Sequence, residues 1–188
     1  IEQVRKPKKR FLNRKGPLRI LIFGGSLGSK AFNLLLPSIF KKINGKNKLS
    51  VIHQSGEKMY ELLKESYKGA DFKVETRKYI FDMEKKYNWA DIVIARSGAL
   101  TVSELIASGT ASILIPYPFA VDDHQFFNAK ILKDVGAAEI IREQNLEEKL
   151  LFNLVRLDRK KCENMALKAK ELHSYDACDE VLKVCNKL

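Results

Sequence analysis

Short apolar runs alternate with helical patterns along most of this chain, and each run empties into a turn. LRILIF (Leu18–Phe23) leads into GGSLGS and then into the helical pattern KAFNLLLPSIFKKI (Lys30–Ile43). LSVIHQSG (Leu49–Gly56) precedes a helix through Met59–Tyr67, and DFKVETRKYI (Asp71–Ile80) holds a third strand ahead of a short helix at Met83–Trp89. Ile92–Ala95 precedes a helix that begins near Thr101, and Ser112–Ile115 precedes a loop and a helix over Asp123–Val135. AAEII (Ala137–Ile141) completes a set of about six strands. Runs without polar alternation suit strands covered on both faces, and parallel neighbours need crossover connections such as these helices. The order therefore predicts an α/β domain built on a Rossmann-like, doubly wound parallel sheet. Pro37 falls inside the first helical pattern and is expected to kink or interrupt it. Leu146–Leu188 reads as helical throughout, and its last segment places Ala177, Val181, Leu182 and Cys185 near one another on one helix face.

The 188 residues suffice for one such domain with its own core, or for one half of a two-domain enzyme. The expected division is a linker remnant over 1–17 and a single domain over 18–188. The opening residue is Ile1 rather than Met, as expected of a piece of a longer protein. The net charge is +11, from 34 Lys and Arg against 23 Asp and Glu, and favours anionic partners. Much of the excess lies in RKPKKRFLNRK (Arg5–Lys15), which is either a solvated, flexible segment or one that faces phosphate or an anionic membrane surface. Nucleic acid is disfavoured, because neither an RNP-like aromatic pattern nor a recognition-helix signature accompanies the charge. No apolar run approaches the length of a membrane span. Cys162, Cys178 and Cys185 lack metal-site spacing, and an odd number argues against a closed disulfide framework, so a reduced cytosolic chain is expected.

Ligands of open α/β sheets bind beyond the carboxyl ends of the strands, where three loops carry chemistry here. In GGSLGS (Gly24–Ser29), glycines let the backbone turn tightly and approach an anion, and Ser26 can donate to phosphate. This is not a dinucleotide fingerprint: the second strand ends on His53 and Gln54 where a ribose-binding acid belongs, which weakens a nicotinamide reading. In SGALTVSE (Ser97–Glu104) the chain turns at Ser97-Gly98 and exposes the backbone of Ala99, Leu100 and Thr101 at a helix start. Glu104 lies about one turn in, where its oxygens can accept from both hydroxyls of a ribose. The alternative is a carboxylate that only complements the helix dipole. In FAVDDHQFFNA (Phe119–Ala129), His124, Gln125 and Asn128 share the opening of one helix and suit the hydroxyls of a sugar, or else the helix is simply capped by Asp122 or Asp123. Adjacent Asp122, Asp123 and His124 rarely converge on one ion, so no metal is expected.

These loops together resemble the donor-binding half of the MurG-type glycosyltransferases, the bacterial family that forms lipid II. The matching segments are ILIFGGSLGSKAFN, VIHQSG, YIFDMEKKYNWADIVIARSGALTVSELIASG and PYPFAVDDHQFFNAKIL, with GAA beyond, in order over Leu18–Ile141. The resemblance implies the C-terminal half of a GT-B fold that takes UDP-N-acetylglucosamine, with GlcNAc passing to lipid I by inversion and with no cofactor or metal. It also implies roles. Ser26 would contact the diphosphate, Ile80 would meet uracil through its backbone with Met83 beside the base, and Ala99, Leu100 and Thr101 would contribute backbone contacts near the phosphates. Glu104 would hold the ribose, and His124, Gln125 and Asn128 would face the GlcNAc; the family often has Gln at the position of His124. QVRKP matches an interdomain stretch with a nucleotide-contacting Arg, which would be Arg5, although Ile1-Glu2-Gln3 departs from the Gly-Asn-Pro expected before it. The family's acceptor-binding half, with the lipid I site and the proposed base, does not fit before Leu18. Donor binding without turnover is therefore expected, with no catalytic residue on this chain and a missing N-terminal acceptor domain as its partner. A natural donor-binding subunit with a separate acceptor-binding partner is the alternative. The intact family enzyme works at the cytoplasmic face of the membrane. Residues around Val181 and Cys185 are expected to be exposed or to pack on a second copy in a homodimer.

Overall fold

The computed structural model describes residues 6–43 and 49–173. Arg5, Cys178, Val181 and Cys185 lie outside them, with the expectations placed on those residues.

Six strands form one sheet in the order β3-β2-β1-β4-β5-β6. They are β1 (Leu18–Phe23), β2 (Leu49–Gln54), β3 (Lys73–Arg77), β4 (Ile92–Ala95), β5 (Ala111–Leu114) and β6 (Ala138–Ile140). Every pairing is parallel. The chain leaves β1 towards β2 and β3, then returns to β4 on the other side of β1, so the order reverses between β1 and β4. Phe23 pairs with Gln54 on one side and Ala95 on the other, which brings the loops after β1, β2 and β4 to one sheet edge. The third strand lies within Asp71–Ile80, as expected, and takes Lys73–Arg77 of it. It is a partly exposed edge strand, and beyond Arg77 the chain turns into the loop that reaches the next helix.

The apolar runs alternate between two cores. Ile20 and Ile22 of β1 pack with Phe32, Leu36 and Phe40 of α2 (Lys30–Ile43) and with Leu150 and Leu154 of α7 (Leu146–Val155). Leu21 and Phe23 face the other way, towards Tyr87 of α4 (Met83–Trp89), Leu105 of α5 (Ala99–Ser108) and Leu132 of α6 (His124–Asp134). A sheet buried on both faces leaves no room for polar alternation. α2 runs on through Pro37, so of the kink or interruption expected there the interruption does not occur. Phe32, Leu36, Ile39 and Phe40 on its inner face are fully buried. Each such side chain contributes about 1.5–3 kcal/mol, against about 3 kcal/mol for a proline inside a helix.

The C-terminal stretch is not one helix. Arg156–Asp158 separate α7 from α8 (Arg159–Glu171), and Asp158 caps α8 by accepting from the Lys161 amide at 2.7 Å. The basic run near the start is not simply solvated either. Pro7–Phe11 forms α1, which packs on α8, and Arg10 is buried. The Arg10 guanidinium donates to Ser108 O at 3.2 Å, to Thr110 Oγ1 at 3.3 Å and to Gly109 O, at the end of α5. Arg14 donates to Asn88 O, Trp89 O and Ala90 O at the end of α4 and to Asp91 Oδ1 at 2.7 Å. Carbonyls at helix ends lack intrahelical donors and carry partial negative charge, so two arginines suit them. α3 (Tyr60–Ser66) packs on α2 and β3, with Leu63 in the same core as Phe40.

Candidate functional site

The glycine-rich loop after β1 is shaped by a close approach. Gly28 and Gly56 have φ of +75° and +76°, and a Cβ on Gly28 would overlap Ser55 O while one on Gly56 would overlap Leu27 O. The two loops therefore lie against each other with no side chain between them. Gln54, at the end of β2, joins them to a third. Its Nε2 donates to Gly25 O and its Oε1 accepts from Ile80 N, both at 2.9 Å. Asn33 of α2 adds a bond from Nδ2 to Ser55 O at 2.9 Å. Sequence reasoning treated Gln54 only as the place where a ribose acid is lacking; the structure makes it the brace of three loops. Its neighbour His53 is fully buried, with Nδ1 3.0 Å from the Tyr67 hydroxyl, and burial pulls its pKa down to about 3.

The second loop opens α5. Gly98 is its N-cap and has no side chain to cap with, so the first backbone N–H groups, at Ala99, Leu100 and Thr101, are donors without a side-chain cap. Glu104 stands one turn further on, and the Tyr87 hydroxyl donates to its Oε2 at 2.9 Å. Ile80 is buried and Met83 half-buried in the apolar cluster that holds Tyr87, Val102 and Leu105, so both lie beside α5. Burial, with the Glu104 charge beside it, pushes the Tyr87 hydroxyl far above its ordinary pKa and keeps it a donor.

The third loop leads into α6 through Asp122 and Asp123, both in the left-handed region at φ +49° and +52°. Asp123 does not cap the helix with its carboxylate. It accepts from both guanidinium nitrogens of Arg142, at 2.8 and 2.6 Å, and Arg142 stacks 4.1 Å over Phe126. The same arginine holds the Asp123 carboxyl below its usual range. His124 turns its Nδ1 to Val121 O at 2.8 Å, within its own loop. Gln125 accepts from Tyr117 N at 3.0 Å through Oε1, and its main-chain carbonyl accepts from Ser97 Oγ at 2.7 Å. Asn128 Nδ2 donates to Ser97 O at 3.1 Å. Gln125 and Asn128 thus tie α6 to the turn before α5. Among the described residues no group of His, Cys, Asp and Glu could hold a metal ion.

An open cleft of about 850 Å³ lies where these loops meet, bordered by the Gly24–Ser29 loop, Arg96, Gly98, Thr101, Tyr117, Gln125 and Glu143. Ser26, Thr101 and Gln125 line it. Ile80, Met83 and Glu104 stand outside its lining, on the α4 side; Ala99, Leu100, His124 and Asn128 also stand outside it, the last two held by their own bonds. Arg96 and Glu143 are the residues that the sequence did not single out. Arg96 sits in the quoted RSG turn, but its partners come from distant loops.

The sheet order, the cleft at the carboxyl edge and the glycine loop define a class, a doubly wound Rossmann-like α/β domain, and the likeness to solved structures makes it that of a GT-B glycosyltransferase. The chain belongs to the family of the glycosyltransferase family 28 C-terminal domain, whose model matches residues 19–181. It is 42% identical over its whole length to UDP-N-acetylglucosamine–N-acetylmuramyl-(pentapeptide) pyrophosphoryl-undecaprenol N-acetylglucosamine transferase of Wigglesworthia glossinidia brevipalpis, covering 52% of that protein. The crystal structure of Acinetobacter baumannii MurG superposes with a TM-score of 0.91 at 35% identity, over 100% of this chain and 55% of that one. The glycosyltransferase VinC in complex with dTDP shares the fold alone, with a TM-score of 0.60 at 17% identity over 98% of this chain and 45% of that one. The chain spans about half the length of the curated relatives it matches.

Proposed function

We propose that this chain is the donor-binding domain of a UDP-GlcNAc-dependent transferase that converts lipid I to lipid II in peptidoglycan synthesis. One observation carries the reading: the glycine loop, the uncapped start of α5 and Gln125 border a single cleft, with Glu104 fixed by Tyr87 one helical turn away. The name of the Wigglesworthia relative supports the choice of sugar and acceptor. Ser26 and the backbone N–H groups of Ala99, Leu100 and Thr101 hold the diphosphate, as helix starts and glycine turns do. Glu104 accepts from the ribose hydroxyls. The backbone of Ile80 meets uracil with Met83 beside it. Gln125, with its Oε1 given to Tyr117, presents Nε2 to the sugar alongside Asn128 and His124, and Arg5 contacts the nucleotide.

Chemically, such a cleft stabilises negative charge that develops on the departing diphosphate, using donors already oriented before reaction. Inversion also needs a base to take the proton of the acceptor hydroxyl. We place that base, and the lipid site, on the part of the relatives' length that this chain does not span. The chain accordingly binds donor without turning it over, and with that partner it acts at the cytoplasmic membrane face. No helix among the described residues is long and apolar enough to cross a membrane.

Calorimetric titration with UDP-GlcNAc, beside UDP-GalNAc and NADH, tests the reading. Saturable binding of UDP-GlcNAc alone is expected, with no transfer to lipid I. A folded chain that gives no heat with UDP-GlcNAc, or that prefers NADH, overturns it.

A further inference from the structure

Arg96 is the most heavily engaged cation of the cleft. Its Nη1 donates to Ile115 O at 3.2 Å and Pro116 O at 3.1 Å, and its Nη2 donates to Ser29 Oγ at 3.0 Å and pairs with Glu143. The guanidinium lies 4.7 Å from the ring centre of Phe32 and 5.5 Å from that of Tyr117. One planar group in the loop after β4 therefore touches the loops after β1, β5 and β6. Ser29 is where the glycine loop enters α2: its Oγ accepts from Phe32 N at 3.4 Å and its carbonyl from Asn33 N at 3.0 Å.

The charges around the cleft are few. Lys30 and Arg96 are its basic lining residues, and Glu143 is its acidic one. The Arg96 side chain is 11% exposed and that of Glu143 27%, so the pair is screened less than a surface pair and each partner's charge is felt in the cleft. The Arg96 fork is already committed on three sides to carbonyls and a hydroxyl. Its fourth partner, Glu143, is the acidic one, and its removal leaves the bonds to the β1 and β5 loops in place.

We infer that Arg96 is a positioning residue for phosphate anions, fixing Ser29 and lending its charge to the glycine loop, and that Glu143 sets the affinity of the cleft by competing for that charge. The ligand class, a nucleoside diphosphate, rests on the function proposed above. A lysine at 96 would keep the charge but lose the fork, and with it the simultaneous hold on Ser29 and the β5 loop. A glutamine at 143 would keep the shape and free the charge.

The test is titration of the 188-residue chain, as wild type, Glu143→Gln, Arg96→Lys and the double variant, with uridine, UDP, UDP-GlcNAc and inorganic pyrophosphate. Glu143→Gln should bind UDP and pyrophosphate about threefold to tenfold tighter, with a steeper salt dependence and unchanged uridine affinity. Arg96→Lys should weaken UDP about tenfold and leave uridine unchanged. In the double variant most of the gain from Glu143→Gln should vanish. Unchanged or weaker UDP binding by Glu143→Gln overturns the inference, as do parallel shifts for uridine and UDP, the mark of a merely structural role. A tighter pyrophosphate response without UDP-GlcNAc binding sinks the proposed function and leaves this inference standing. Wild-type binding of UDP-GlcNAc with no response to Glu143→Gln does the reverse.

Discussion

The Tyr87 hydroxyl donates to Glu104 Oε2 across 2.9 Å, so a fully buried ring in α4 aims a half-exposed carboxylate in α5. The carboxylate assigned to the ribose is thereby held from below. Tyr87→Phe keeps the ring and removes the donor. It should cost about 1 kcal/mol of stability and weaken UDP-GlcNAc about threefold to tenfold. Glu104→Ala should cost more affinity, about 1.5–3 kcal/mol for the charge-assisted bonds, and about 1–3 kcal/mol of stability as well, because the buried Tyr87 hydroxyl loses its acceptor. Calorimetry paired with urea denaturation separates the two; equal affinity for UDP-GlcNAc and its 2′,3′-dideoxy analogue in wild type would remove Glu104 from this role.

Gly28 has both a positive φ and the Ser55 carbonyl where a Cβ would stand. Gly28→Ala must push the glycine loop off the Ser55–Gly56 turn. A loss of about 1–3 kcal/mol in stability is expected, with UDP binding lost beyond it. Gly25→Ala is the control, since its Cβ meets nothing within 4 Å although its φ is +92°. The smaller loss is expected there by chemical denaturation.

His53 is buried as the neutral ring, with its pKa pulled by burial from 6.5 to about 3. The unfolded chain takes up a proton near pH 6.5 that the folded one refuses until about pH 3, so this group's contribution is whole above 6.5 and falls as pH drops between those values. The slope from one such group approaches 1.4 kcal/mol per pH unit. His53→Asn should lower stability at neutral pH and flatten the profile between pH 6.5 and 4, read as denaturation midpoints. Parallel profiles for variant and wild type would contradict the assignment.

Arg10 reaches Thr110, just past the end of α5, from 100 positions away in the chain, and burial lowers its pKa to about 10. Arg10→Met fills part of the space but leaves the Ser108 and Gly109 carbonyls without their donor. A cost of about 2–3 kcal/mol is expected in thermal or urea unfolding. Lys9→Met, an exposed neighbour in the same helix, should be near neutral.

What could be read from the residues was what local order encodes. The six parallel strands followed from runs such as Leu18–Phe23, apolar on both faces because both are covered. The loops followed from where those runs end, and the place of Glu104 within α5 from its distance past the Ser97-Gly98 turn. What escaped depends on partners far apart in the chain. Arg96 meets Glu143 47 positions away, Gln54 meets Ile80 26 away, and Arg10 meets Thr110 100 away. No periodicity marks such pairs. The basic run at Arg5–Lys15 offers, as sequence, only a choice between solvated charge and a phosphate- or membrane-facing segment, since the helix ends that take Arg10 and Arg14 are visible only once α4 and α5 are in place. Pro37 does not end its helix, because a local rule meets a helix face buried deeply enough to carry the chain past it.

The contact of the Gly28 and Gly56 turns, with Gln54 spanning both to Ile80, has a further consequence. A molecule that touches the glycine loop at one end and the Ile80 loop at the other meets a single stiff frame rather than independently swinging arms. Ordering that frame belongs to the folding of the domain, so half-molecules that occupy either end should find it already set. Joining the halves then forfeits translational and rotational freedom once instead of twice, so the whole molecule binds more tightly than the sum of its halves, which is the full advantage of the chelate effect.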